Sequence, residues 1–296
     1  MEDAARVAAR LWPGRPVSIE PLGGGITNQN FKVTAGPEVL VLRIGGRDTH
    51  LLGIDRRVEY EASRAAAAVG VGPEVVAWVE PEGWLVTRYI DGRPLEIEDL
   101  RQPETIARVA RALLRVHSGP PISGRFDAHR VVEDYCRLAL ERGVEVPSEY
   151  ARALEVSRRI EAARRPEAPV PCHNDLLIAN FIDDGEVRIV DWEYAGMGDR
   201  FFDLGNLAVN QELGPAALEA FLGAYFGAVR RADVANLRLM RFMSDFREAM
   251  WGVVQQGISD LDFDFHAYAT DHFARLERTA AAPEFEADLA FFATFS

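Results

Sequence analysis

The sequence predicts an α+β fold in two lobes, a small β-rich N-terminal lobe over residues 1–90 and a larger, mostly helical C-terminal lobe over 91–296. Three observations predict it. Short β-rich runs bounded by turn residues crowd the first ninety positions. Long segments of helical period fill most of the rest. A stretch from Pro171 to Asn206, PCHNDLLIANFIDDGEVRIVDWEYAGMGDRFFDLGN, gathers His, Asp and Asn residues around a turn.

In chain order, Ala4 to Trp12 has the pattern of a short amphipathic helix closed by Pro13-Gly14. PLGGGITNQNFKV follows. Gly23, Gly24 and Gly25 allow a tight turn and a close approach of backbone to a ligand. Thr27 and Asn28 supply side-chain donors, and Phe31-Lys32-Val33 starts a strand, so a glycine-rich hairpin over phosphates is expected. Val39 to Ile44, VLVLRI, is the next strand. Arg43 stands inside that apolar run, where a charge needs a partner. Lys32 is the only lysine, so no Walker-type loop exists and Arg43 is the candidate phosphate cation. Asp55 to Val69 is a helix capped by Asp55, and either Glu59 or Glu61 is placed to pair with Arg43. Val75 to Trp78 and Trp84 to Ile90 are strands. Tyr89 to Gly92 is the expected linker, with backbone groups free for an adenine. Helices are expected over Pro103–His117, Val131–Glu141, Ser148–Arg164, Asp203–Asn210, Pro215–Val229, Val234–Gln256 and Ala267–Thr279.

The central stretch carries the chemistry. Asp175 and Asn180 are five residues apart, the spacing of a kinase catalytic loop. In that chemistry one carboxylate faces the attacking hydroxyl, and an amide oxygen a short loop later faces a metal on the phosphates. Asp183-Asp184-Gly185 signals a turn, and EVRIVDW reads as a strand. The hairpin brings Asp191 back beside Asn180 as a second metal ligand. The candidates are therefore Asp175 and His173 for catalysis, with Asn180 and Asp191 for magnesium. A zinc hydrolase lacks ligands here, since His129 and His266 are remote in sequence.

Composition narrows the partners. The net charge of −13 argues against nucleic acid and suits a cationic substrate. Cys136 and Cys172 imply no disulfide framework, and Cys172 reads as buried filler. No apolar stretch reaches the length of a membrane span. Acids stand where a signal peptide needs cations, so a cytoplasmic location is expected. No oligomeric state follows from the sequence.

Taken together, these motifs resemble the choline/ethanolamine kinases, within the wider aminoglycoside-phosphotransferase group of protein-kinase-like folds. The likeness is strongest to the bacterial branch linked to lipopolysaccharide phosphocholine. LGGGITNQNF resembles that family's nucleotide loop and VLRIGG its third strand. HNDLLIAN resembles its catalytic loop, VDWEYAGMGDRFFDLGN its metal segment, and AMWGVVQQGISDLDF its substrate-side helix. The resemblance implies ATP and magnesium as cofactors and a small cationic amino alcohol as acceptor. It implies that Asp175 is the base, that Asn180 and Asp191 hold magnesium, and that Arg43 binds phosphate with Glu59 as partner. Gly24, Gly25, Thr27, Asn28 and Tyr89 would line the nucleotide, while His173 and Asp203 brace the loop. Trp251, Phe263, Phe265 and Tyr268 would form an aromatic wall for the ammonium, near Trp192 and Tyr194, with charge from Glu193, Asp199, Glu248 and Asp262. One departure stands out: the family's second tryptophan, three residues after Trp251, is Val254 here. Rival acceptors are thiamine, an aminoglycoside, an amino sugar or homoserine. The remaining alternative is a non-catalytic kinase-like binding protein.

Overall fold

A computed structural model describes residues 1–23, 28–46, 48–165 and 167–293. The N-terminal region comprises α1 (Glu2–Leu11), β1 (Val17–Leu22), β2 (Asn28–Ala35), β3 (Glu38–Gly45), α2 (Arg56–Ala68), β4 (Val75–Val79) and β5 (Trp84–Arg88). The five strands form one antiparallel sheet in the order β1-β2-β3-β5-β4. Parity decides what each face carries. Along β3, Leu40, Leu42 and Ile44 turn inward with Phe31 and Val33 of β2, onto Ala4 and Val7 of α1 and Trp12 at its C-cap. Arg43, between two inward residues, must then lie on the opposite face. Asp55 caps α2 by accepting from the Arg57 and Val58 N–H groups at 2.8 and 3.3 Å.

The C-terminal region begins with β6 (Arg93–Pro94), then α3 (Pro103–His117), α4 (Ala128–Glu141) and α5 (Glu149–Ala163). Next come β7 (Val170–Cys172), β8 (Phe181–Asp183), β9 (Val187–Ile189) and β10 (Gly196–Gly198). Five helices close the chain: α6 (Arg200–Asn210), α7 (Pro215–Phe226), α8 (Arg231–Ile258), α9 (Phe265–Ala281) and α10 (Pro283–Ala293). The α8 helix, 28 residues and about 42 Å long, is the spine, buried by α4, α6 and α9. A Cβ at Gly205 would sit 2.7 Å from the Met240 carbonyl carbon, so only glycine lets α6 lie directly on α8. Ala62 and Ala66 of α2 belong to this second core, so α2 bridges the sheet and the helices. Among the described residues no helix is long and apolar enough to cross a membrane.

Most expected elements form within a turn of their predicted bounds, and α3 matches at both ends. Two differences matter. The expectation ended at Thr279 and left out α10, although Pro283 suits a first helical position and Phe285 and Leu289 both face inward. The strand read as EVRIVDW stops at Ile189, and Asp191 instead takes a left-handed conformation at φ 70°.

Candidate active site

The loop after β7 is held by side chains of α6. The His173 and Asn174 N–H groups each donate to Asp203, at 2.7 Å. The Leu176 N–H donates to Asn206 Oδ1 at 2.6 Å, and its carbonyl accepts from Gln211 at 2.9 Å. Asp203 is fully buried and also takes a hydrogen bond from His117 Nε2 at 3.0 Å, while His117 Nδ1 contacts Tyr225 Oη at 2.6 Å. α6 and its C-cap thus present three buried polar side chains that satisfy a neighbouring loop's backbone, while Asp203 and Asn206 also tie in His117 and Ser244.

His173 is part of this brace and does not face the cleft, which corrects its expected catalytic role. Its Nε2 lies 3.0 Å from the Val190 carbonyl, and its Nδ1 accepts from the Asp175 N–H at 3.2 Å. That pairing requires the neutral ring with its proton on Nε2. Burial lowers its pKa below the usual imidazole value, in the same direction. Its other face is closed by Trp192, edge-on at 4.6 Å, so Trp192 is core and no part of an acceptor wall.

Three oxygen-bearing groups converge beside this brace. The Val190 N–H donates to the Asn180 carbonyl at 3.0 Å, closing the β8–β9 hairpin so that Asp191 follows directly from Asn180's neighbour. Arg108 of α3 grips the hairpin turn through Asp183 at 2.6 and 2.8 Å. Asn180 Nδ2 donates to the Asp175 carbonyl at 2.9 Å, which leaves Oδ1 as the outward acceptor. Asn174 and Asp191 both sit at positive φ, 67° and 70°. Asn and Asp bear that conformation better than other side chains, and its cost of about 1–3 kcal/mol is the kind stored at functional sites. Burial pushes the Asp175 carboxyl up to about 7, against the opposing pull of Arg247 and with help from the Glu248, Asp191 and Glu193 charges.

On the sheet side, four residues form a square of alternating charge. Arg43 Nε meets Glu59 Oε1 at 2.9 Å, and Glu59 Oε2 meets Arg56 Nη1 at 2.7 Å. Arg56 Nη1 meets Glu193 Oε2 at 3.2 Å, and Glu193 returns to Arg43 at 3.7 Å. Arg43 Nη2 also makes a close ion pair with Asp191. Glu61 is not the partner of Arg43; it accepts from Ser123 instead, at 2.6 Å from the hydroxyl. Glu193 lies on this side, held at 2.9 Å by Asn28 Nδ2, and not on the acceptor side where it was expected. Gly24, Gly25 and Thr27 fall outside the described residues. The Tyr89 N–H donates to Val39 at 3.0 Å and so is not free for an adenine, and its ring takes the Lys32 ammonium at 4.5 Å.

Within the helical region a second cluster closes on itself. Arg247 reaches Asp175 Oδ1 at 3.2 Å and makes a close ion pair with Glu248. Glu248 accepts from the Tyr268 hydroxyl at 2.8 Å. Tyr268 packs edge-on against Trp251 at 5.5 Å, and Trp251 Nε1 donates to the Tyr194 hydroxyl at 3.0 Å. The Arg247 guanidinium lies over the Tyr194 ring at 4.4 Å, which completes the circuit. Burial holds the Tyr194 and Tyr268 phenols well above their ordinary pKa, so both stay protonated, Tyr268 as donor to Glu248 and Tyr194 as acceptor from Trp251. Phe265 backs Trp251 from the buried side, whereas Phe263 and Asp262 are exposed. Val254 is fully buried in α8, so no second ring joins this wall. Asp199 does not join it either: it caps α6 through the Phe201 N–H at 2.8 Å and pairs with Arg164 at 2.7 Å.

Sequence reasoning missed Arg56 and Arg247. The signal for Arg247 was available, because a charge in the apolar run FREAMW raises the same question as Arg43 in VLVLRI. Arg56 carried no such signal, since it follows a cap in an ordinary first helical turn.

Residues 18–239 match the phosphotransferase enzyme family. A solved structure of a choline/ethanolamine kinase family protein from Mesorhizobium loti is 34% identical, covers 98% of each chain and superposes with a TM-score of 0.85. Ethanolamine kinase 1 of Mus musculus is 26% identical over 313 residues, spanning 88% of this chain and 84% of its own. The solved choline kinase LicA of Streptococcus pneumoniae is 21% identical, with a TM-score of 0.78 over 95% of this chain and 99% of that one. The last likeness bears on the fold alone, which is protein-kinase-like.

Proposed function

The chain belongs to the phosphotransferase enzyme family, among its choline/ethanolamine kinases, and from that premise we propose that it transfers the γ-phosphoryl group of ATP to the hydroxyl of choline or a related amino alcohol. Residues 1–90 would form the nucleotide lobe and residues 91–296 the catalytic and acceptor lobe. The observation that carries the reading is the meeting of Asp175, Asn180 and Asp191 at the foot of one hairpin, beneath Arg43.

The donor set fits magnesium. The Asp191 carboxylate and the Asn180 amide oxygen are hard oxygen ligands of the kind that ion takes. Among the described residues, five carboxylates, Glu59, Asp175, Asp191, Glu193 and Glu248, meet three guanidinium groups, Arg43, Arg56 and Arg247. The excess of negative charge suits a divalent cation. When bound, magnesium would neutralise charge on the triphosphate.

The protein's own part is position and charge. Arg43, set by Glu59, fixes the phosphates. Asp175 orients the acceptor hydroxyl and takes its proton as the new oxygen–phosphorus bond forms and the bond to ADP breaks. Arg247 fixes the direction of the Asp175 carboxylate, and the circuit behind it offers aromatic edges and the Glu248 charge to an ammonium group.

The test is ADP release by the purified protein with ATP and magnesium, against choline, ethanolamine, thiamine and aminoglycosides. Turnover is expected with the amino alcohols. Release that no amino alcohol stimulates would overturn the reading.

A further inference from the structure

Arg56 lies on the first turn of α2, an ordinary place for a solvated charge. The structure uses it otherwise. Besides Glu59 and Glu193, its Nη2 donates to Asn28 Oδ1 and to Thr49 Oγ1, both at 3.0 Å. One guanidinium therefore touches four separate segments: the start of β2, the β3–α2 connection, α2 itself and the residue two beyond Asp191. Its side chain is 17% exposed. The neighbouring backbone makes room for it, because a Cβ at Gly45 would lie 2.8 Å from Arg56 Nε.

Three of those segments belong to the N-terminal sheet region, and Glu193 belongs to the other side of the cleft. The only other guanidinium in the square, Arg43, is already shared between Glu59 and Asp191. Among the described residues Arg56 pairs with neither Asp175 nor Asp191, yet it holds Glu59 Oε2 and so turns Glu59 Oε1 toward Arg43.

We propose that Arg56 is a positioning residue that latches the two sides of the nucleotide cleft, holding Glu193 against Asn28 and setting Glu59 for Arg43. It rests on the nucleotide reading above, and goes beyond it in assigning a second arginine to the cleft. A planar fork is needed for this geometry. A lysine ammonium cannot span Glu59, Glu193, Asn28 and Thr49 together.

The experiment measures binding of a non-hydrolysable ATP analogue with magnesium by calorimetry, beside acceptor KM in the turnover assay. Arg56→Lys and Arg56→Met are expected to weaken the analogue about tenfold or more, with acceptor KM unchanged. Glu193→Gln should weaken it too, and the double variant should lose less than the two single losses combined, because the two residues share the Arg56–Glu193 contact. Gly45→Ala keeps every charge and displaces the guanidinium, so it should reproduce a fraction of the loss. Should Arg56→Met fail to fold, the lysine, Glu193→Gln and Gly45→Ala variants carry the test. Analogue binding as tight as wild type in Arg56→Lys and Glu193→Gln overturns the latch alone. A wild-type protein that binds no analogue overturns the function reading and the latch with it.

Discussion

The molecule contains two buried arginine clusters, and they differ in what holds them. The square of Arg43, Glu59, Arg56 and Glu193 is assembled from the sheet region and a loop 150 residues later. The circuit of Arg247, Glu248, Tyr268, Trp251 and Tyr194 lies wholly within the C-terminal region, four of its five members on α8 or on α9, the helix packed along it. Glu193 and Tyr194 are adjacent in the chain, yet one serves each cluster. The first joins two regions far apart in the chain. The second is packed around α8 and α9. Ion pairs across a seam answer to binding, whereas ion pairs inside one packed body answer to stability.

The sharpest way to break this comparison is Asp175→Asn, because Asp175 pairs with Arg247 and feels the charge of Glu193. On the proposed function, turnover falls by about 10³-fold while nucleotide binding persists. Stability should move the other way. A carboxyl raised to about 7 in the fold favours folding when protonated, below its unfolded value. That contribution disappears as pH rises through about 7. Asp175→Asn should therefore unfold at a higher temperature than wild type at pH 8, with the gap closing near pH 4. A variant that keeps its activity, or is less stable at pH 8, contradicts the assignment.

Next in size, Arg247→Met leaves Asp175 and Glu248 facing each other without their shared cation. Turnover should fall about 10²-fold through misplacement of the carboxylate, with nucleotide affinity unchanged, the reverse of the pattern expected for Arg56. An equal loss of nucleotide affinity would erase the distinction between the two clusters.

A smaller effect is expected for Trp251→Phe, which keeps a ring and removes the bond to Tyr194. Acceptor KM should rise about fivefold, in line with one lost hydrogen bond. The smallest belongs to Asp199→Ala. As a helix cap paired with Arg164, it should cost about 1 kcal/mol in chemical denaturation and leave acceptor KM alone. A large KM change there would restore Asp199 to the acceptor site.

Local signals were legible where a residue's environment is made by its near neighbours. Asp55 before an amphipathic run caps α2, and Pro103 and His117 bound α3. The loop spacing from Asp175 to Asn180 and the turn at Asp183-Asp184-Gly185 made the hairpin readable, and Arg43 betrayed itself by standing in an apolar strand. Other assignments failed because the deciding neighbour is far away. Asp199 looked like a free acid until the Phe201 N–H and Arg164 claimed it, and the Tyr89 backbone looked available until Val39 took its N–H.

What the sequence determined by itself was the inventory and its order: a catalytic-loop spacing, a lone strand arginine, an acidic balance and a run of helices. Those depend on periods and short separations that a chain carries in any fold. What only the tertiary structure decided was partnership: Arg56 with Glu193, Arg247 with Asp175, and Glu193 held by Asn28 beside Arg43. The reason is physical. An ion pair or a buried hydrogen bond is made over a few ångströms, and which distant segments come that close is set by how α6, α8 and the sheet pack.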